Sequence, residues 1–87
     1  ECSDYFEFGG KYYLIYSLSG VGHYLYSEEP FSGWVAPADP VIPCGTVPKA
    51  AIWRGRIIFA GFRGIGGYAG TMTFKEAWQN PDGTLRF

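Results

Sequence analysis

Several kinds of chemistry are excluded by what this sequence has little of. Its 87 residues contain two cysteines, one histidine and one methionine. Cys2 and Cys44 fit no metal-ligand spacing, and no Cys/His cluster is present, so neither a metal site nor a cofactor is expected. Two thiols can pair or stay free, which leaves the disulfide and the redox compartment open. Seven Lys and Arg are scattered among eight Asp and Glu, for a net charge of −1. Such a balance lacks the basic footprint of a nucleic-acid binder. No apolar run is long enough to span a membrane and no signal segment is visible, so no membrane partner is expected. An initiator Met is also missing. The sequence opens on Glu1 and closes on Thr84–Phe87, which reads as a strand beginning. The expectation is an internal piece of a longer chain.

Aromatics and glycine are abundant. Aromatic residues make up 20% of the chain and there are 13 glycines, many of them in pairs or turns. With little charge and many β-formers, the composition is that of an all-β protein. Tyr5–Phe8 and Lys11–Ser17 flank Gly9-Gly10, a strong hairpin signal. Ser19–Gly22 breaks the chain before a third strand, His23–Ser27, and Glu28–Gly33 reads as a loop. The second half repeats the plan. Lys49–Trp53 and Arg56–Phe62 flank Arg54-Gly55, Gly64–Gly67 breaks the chain, and Tyr68–Phe74 follows. Asn80–Gly83 is then a turn into Leu85–Phe87.

Gly10 and Gly55 stand 45 residues apart, and Lys11, Tyr12 and Ser17 fall on Arg56, Ile57 and Phe62 at the same offset. A period of about 40 to 50 residues with three or four short strands per unit is the propeller-blade signature. The competing reading is two unrelated hairpins in a sandwich. Strand polarity favours the propeller. Lys11–Ser17 carries Tyr12, Leu14 and Tyr16 on one face and Tyr13 and Ile15 on the other. Arg56–Phe62 is likewise apolar on both faces, whereas a sheet with one wet face alternates apolar with polar. Both faces should therefore be covered, as blades cover one another. The expected fold is all-β, about two propeller blades of antiparallel strands, with one blade over residues 1–45 and an incomplete one over 46–87. Alone, such a piece exposes apolar faces and should self-associate or need further blades.

Specific residues then suggest a family. Glu1-Cys2-Ser3-Asp4 resembles the Glu-Cys-Pro-Asp motif of glycoside hydrolase family 32, the invertase, levanase and inulinase family. Phe8–Ser17 resembles the strand pair after that motif. Lys49–Phe62, Gly67–Phe74 and Asp82-Gly83-Thr84-Leu85 are similar to later segments of the family, in the same order. Ser3 departs from the usual Pro, and Phe62 from a frequent Trp. The sister family 43 shares the five-bladed fold, and Glu28–Trp34 resembles a loop seen in both.

The resemblance implies a glycosidase acting on β-fructofuranosides or related oligosaccharides. It implies that Glu1 is the general acid/base of the two-carboxylate mechanism. The family's nucleophile lies in an Asn-Asp-Pro-Asn-Gly motif and its stabilising Asp in Arg-Asp-Pro. Neither motif occurs here, so the 87-residue chain alone should be inactive. Asp4, Lys49 and Trp34 are the candidate substrate contacts, each with an ordinary alternative as turn residue, solvated strand end or packing aromatic. His23, Trp53 and Arg63 are weaker candidates. A non-catalytic sugar-binding propeller, or a purely structural one, is the alternative function. Sugar, linkage and stereochemical course are not encoded in these residues.

Overall fold

A computed structural model describes residues 3–64 and 70–87. Among these the chain is all-β, in two four-stranded antiparallel sheets. The first holds β1 (Asp4–Phe8), β2 (Lys11–Leu18), β3 (Val21–Ser27) and β4 (Val41–Ile42), in that order. The second holds β5 (Thr46–Trp53), β6 (Arg56–Gly64), β7 (Gly70–Gln79) and β8 (Leu85–Arg86), again in order.

Three hairpins close through two-residue turns whose central residues both take positive φ. They are Gly9-Gly10 (56° and 78°), Ser19-Gly20 (52° and 78°) and Arg54-Gly55 (51° and 73°). That geometry matches the right-handed twist of the flanking strands. The turns at Gly9-Gly10 and Arg54-Gly55 occupy equivalent places in the two sheets, joining Phe8 to Lys11 and Trp53 to Arg56. The fourth strands differ in how they are reached. Val41-Ile42 lies between Pro40 and Pro43 and pairs with His23 and Gly22. Leu85-Arg86 follows a turn in which Asp82 Oδ1 accepts from both the amide and the hydroxyl of Thr84.

The sequence reading differs from the structure in several bounds. Strand β4 was not expected, because two residues between prolines leave no periodic signal. Strand β7 runs on to Gln79, five residues past the expected end at Phe74. Strand β5 starts at Thr46 because a register shift between Thr46 and Lys49 lets the pairing pass Pro48. Tyr68 and Ala69, expected at the head of the seventh strand, lie outside the described residues.

The core lies between the sheets. Tyr13, Ile15, Tyr24 and Ile42 of the first sheet meet Ile57, Phe59, Ala77 and Leu85 of the second, with Cys44 of the linking segment. Phe6 stacks on Tyr13 at 5.0 Å and meets Phe59 edge-on at 6.1 Å. At the 45-residue offset, Tyr13 and Ile15 correspond to Ile58 and Ala60. Those two alternate with the buried Ile57 and Phe59 and face away from the first sheet. Ile57 and Phe59 in turn correspond to Tyr12 and Leu14, on the far face of the first sheet. Opposite faces of the repeat are thus in contact, as in successive members of a stack. The two remaining faces expose apolar side chains. Leu18 and Val21 stand out from the first sheet, and Trp53, Met72, Phe74 and Trp78 from the second.

Candidate functional site

The N-terminal end of β1 meets the middle of β5. There Asp4 Oδ2 accepts the Ala50 amide at 2.8 Å, while its Oδ1 accepts the Tyr5 amide at 3.0 Å. Lys49 Nζ donates to the Ser3 carbonyl at 2.8 Å. One carboxylate and one ammonium, each reaching the other sheet's backbone, therefore tie β1 to β5. These charge-assisted bonds are stronger than neutral ones and hold the two strands in register.

The approach to Lys49 is shaped by the start of β5. Val47 takes φ 50°, a left-handed conformation costly for a β-branched residue. It persists because its neighbours are locked. Pro48 is buried against Gly22, where any side chain would collide with the proline ring. Gly61 backs onto the carbonyls of Cys44 and Thr46. Beside the bulge, Lys49 lines an open cavity of about 420 Å³ together with Val47, Ala60, Gly61, Phe62, Gly70 and Met72. Its walls are apolar and Lys49 is the charged residue among them, which suits a small ligand with an apolar face and an oxygen-rich edge.

The structure brings Asp4 and Lys49 together as neighbours across the two sheets. Trp34 lies elsewhere. It sits in the β3–β4 loop on the far face of the first sheet, edge-on to Tyr5 at 6.2 Å. Tyr5 also stacks with Tyr12 at 6.3 Å and with Phe31 at 6.5 Å. Phe31 is 85% exposed, and the Tyr5 hydroxyl is committed to the Pro30 carbonyl at 2.7 Å. Desolvation first, then the neighbouring Tyr12 and Glu7, push the Tyr5 phenol above its ordinary pKa. The result is an exposed aromatic platform separate from the Lys49 cavity.

Glu1 and Cys2 lie outside the described residues. His23 stacks on Tyr16 at 5.5 Å, and its Nδ1 lies 2.9 Å from the Val21 carbonyl, a strand-packing role. Trp53 is at the other end of β5 from Lys49, with the Arg54 guanidinium 4.7 Å above its ring. Arg63 is exposed next to Phe62, at the Lys49 end of β6. Cys44 carries a free, buried thiol, with Sγ 3.4 Å from the Phe59 carbonyl.

Sequence reasoning missed Ser3, Tyr5, Val47 and Met72 as parts of these places. A signal existed for one of them. A proline at position 48 inside a strand run marks a bulge or an edge, and the residue before it is where the backbone turns. No family model, no curated protein and no solved structure matches the chain.

Proposed function

We propose that the two stacked sheets are neighbouring blades of a five-bladed propeller, and that the chain is the acid/base-bearing part of a glycoside hydrolase acting on β-fructofuranosides or related oligosaccharides. The observation that carries the blade reading is the contact between opposite faces of the repeat. A sandwich of two equivalent hairpin sheets related by a two-fold would bring like faces together; a propeller brings unlike faces together at every step. The catalytic reading rests on the resemblance of Glu1-Cys2-Ser3-Asp4. It is supported by the strands at Asp4 and Lys49, which are held by bonds to backbone next to that motif.

In this reading Glu1 gives its proton to the leaving glycosidic oxygen as the bond to the anomeric carbon breaks. A carboxylate outside these residues receives the anomeric carbon. Glu1 then takes a proton from the water that releases the sugar. Asp4 and Lys49 hold the start of β1 to the middle of β5, and Lys49 offers its ammonium to sugar oxygens entering the cavity. Trp34, with Tyr5 and Phe31, belongs to the separate aromatic platform. That platform favours a second reading, a propeller that binds sugar rings without cleaving them, because exposed ring faces suit such stacking.

The test is hydrolysis of sucrose and fructan by the protein that contains this segment, wild type against Glu1→Gln. Loss of general acid/base assistance should lower kcat by about 10²- to 10⁴-fold. The loss should shrink for a substrate whose leaving group needs no proton. An unchanged rate removes the catalytic reading, and binding without turnover in the wild type selects the second one. Turnover by the 87-residue chain on its own would show that the acid/base does not depend on a nucleophile elsewhere.

A further inference from the structure

We infer that this chain self-assembles head to tail, the outer face of the first sheet in one copy stacking on the outer face of the second sheet in the next. The inference rests on the stacking of the sheets and not on the glycosidase reading; the Lys49 cavity opens on the second sheet's outer face, so assembly and sugar binding there compete. Within the chain, the face of the first sheet bearing Tyr13 and Ile15 packs on the face of the second bearing Ile57 and Phe59. The repeat maps those faces onto the two outer ones, of which the first sheet's is partly roofed by the β3–β4 loop at Phe31 and Trp34. Ile58, Ala60 and Phe62 of the second sheet are the counterparts of Tyr13, Ile15 and Ser17. Tyr12, Leu14 and Tyr16 of the first are the counterparts of Ile57, Phe59 and Gly61. The outer pair is therefore the repeat equivalent of the pair of surfaces that already meet inside the chain.

Exposure and charge agree with this pairing. The second sheet's outer face presents Met72 at 63% and Phe74 at 65% exposure, with Trp53 and Trp78 about half exposed. Large outward apolar side chains grouped on one face mark a binding surface. The same face carries Lys49, Arg54 over the Trp53 ring, and Arg56 paired with Glu76. By strand alternation the first sheet's outer face carries Glu7 as its charged strand residue, beside Tyr5, Tyr12, Leu14 and Leu25. Basic and acidic faces favour unlike over like pairing. A contact between unlike faces is heterologous, so it continues from copy to copy until a ring closes.

The experiment is sedimentation equilibrium of the whole chain between about 1 and 300 µM, the range suited to an interface of modest area. Two variants carry lysines at exposed positions away from the core. Met72→Lys/Phe74→Lys blocks the second sheet's outer face, and Leu18→Lys/Val21→Lys blocks the first sheet's. Far-UV circular dichroism and a cooperative melt check that each folds. The wild type should rise beyond twice the monomer mass. Each variant alone should remain monomeric, and an equimolar mixture should form a one-to-one dimer and stop there. A monomeric wild type overturns the inference. So does dimerisation of either variant alone, which would mean that like faces pair, and so does a mixture that stays monomeric.

Discussion

Tyr13→Phe should be among the most costly single-atom deletions in this protein. Tyr13 is fully buried. Its hydroxyl donates to the Gly83 carbonyl at 2.6 Å and accepts from Gln79 Nε2 at 2.8 Å. Phenylalanine keeps the ring against Phe6 and Tyr24, so little packing is lost. What is removed is one of the links between the first sheet and the β7–β8 region of the second, the one to the Gly83 carbonyl. Gln79 keeps its bond to the Phe8 carbonyl at 2.8 Å, so its amide is not stranded. The Gly83 carbonyl, in a buried residue, loses the donor. Removing a donor so that a buried acceptor is left bare costs about 1–3 kcal/mol, which sets the size of the effect. For a domain of this size that lowers Tm by roughly 5–20 °C. Urea unfolding followed by tryptophan fluorescence would read it as a fall in midpoint at unchanged slope. Protein concentration must stay in the monomeric range, since assembly adds apparent stability.

Two further hydroxyl deletions make the reasoning refutable. Ser17 Oγ is buried and has no partner among the described residues, so Ser17→Ala should stay within about 0.5 kcal/mol of wild type. Tyr5→Phe removes an exposed bond to Pro30 and should cost less than about 1 kcal/mol. If Tyr13→Phe fell within 0.5 kcal/mol of wild type, about the net worth of the weakest hydrogen bond, the hydroxyl would not be tying the sheets together.

Other expectations follow from particular contacts. A Cβ at Gly61 would collide with the Cys44 carbonyl, so Gly61→Ala should destabilise by about 3 kcal/mol. Gly55→Ala, in open space but at φ 73°, should cost only about 1 kcal/mol, and calorimetry of the pair separates collision from backbone strain. In a Cys2→Ser background Cys44 should react with a disulfide reagent only as fast as the protein unfolds. Burial hides its sulfur and raises its pKa, and fast labelling of folded protein would contradict this. Burial also raises the Tyr13 and Tyr24 phenols above their ordinary value. The folded state then holds protons that the unfolded state releases above about pH 10, so stability is complete below that pH and falls as pH rises through the folded values. Chemical unfolding midpoints measured from pH 9 upward, around the ordinary tyrosine pKa of about 10, should decline, and Tyr13→Phe should flatten the decline.

Much of the fold was legible because local chemistry and tertiary structure agree. Gly9-Gly10 and Arg54-Gly55 announced hairpins because only tight turns at positive φ join strands that close together. The two-sided apolar strands called for cover on both faces of each sheet, and within the chain one face of each lies in the core. Which face is covered was not legible, since Tyr12 and Tyr13 are equally apolar and only packing against Ile57 and Phe59 distinguishes them. The fourth strand of the first sheet was invisible because Val41-Ile42 is held by β3 and Pro40, through the bond from the Tyr24 amide, and not by its own pattern. At the candidate site, Asp4 and Lys49 could be chosen one by one. Their proximity could not, because it depends on a bulge at Val47 and on how far one sheet slides over the other.

That slide is fixed by polar contacts at two distant points of the interface and not by the apolar core alone. Apolar side chains set how close the sheets come but tolerate small shifts, because burial is nearly the same in neighbouring positions. Hydrogen bonds do not tolerate them. At one point, Ser3 and Asp4 meet Lys49 and Ala50. At the other, the Tyr13 hydroxyl meets Gly83 and the Tyr24 hydroxyl accepts the Leu85 amide at 2.8 Å. Two separated clamps define both offset and angle. Between them, Gly22 against Pro48 and Gly61 against Cys44 remove the side chains that would hold the backbones apart. Of the outer faces, the first sheet's carries Tyr16 where the second sheet's inner face carries Gly61. A contact made through them should therefore be looser and weaker than the one inside the chain, and head-to-tail assemblies should dissociate at denaturant concentrations that leave each two-sheet unit folded.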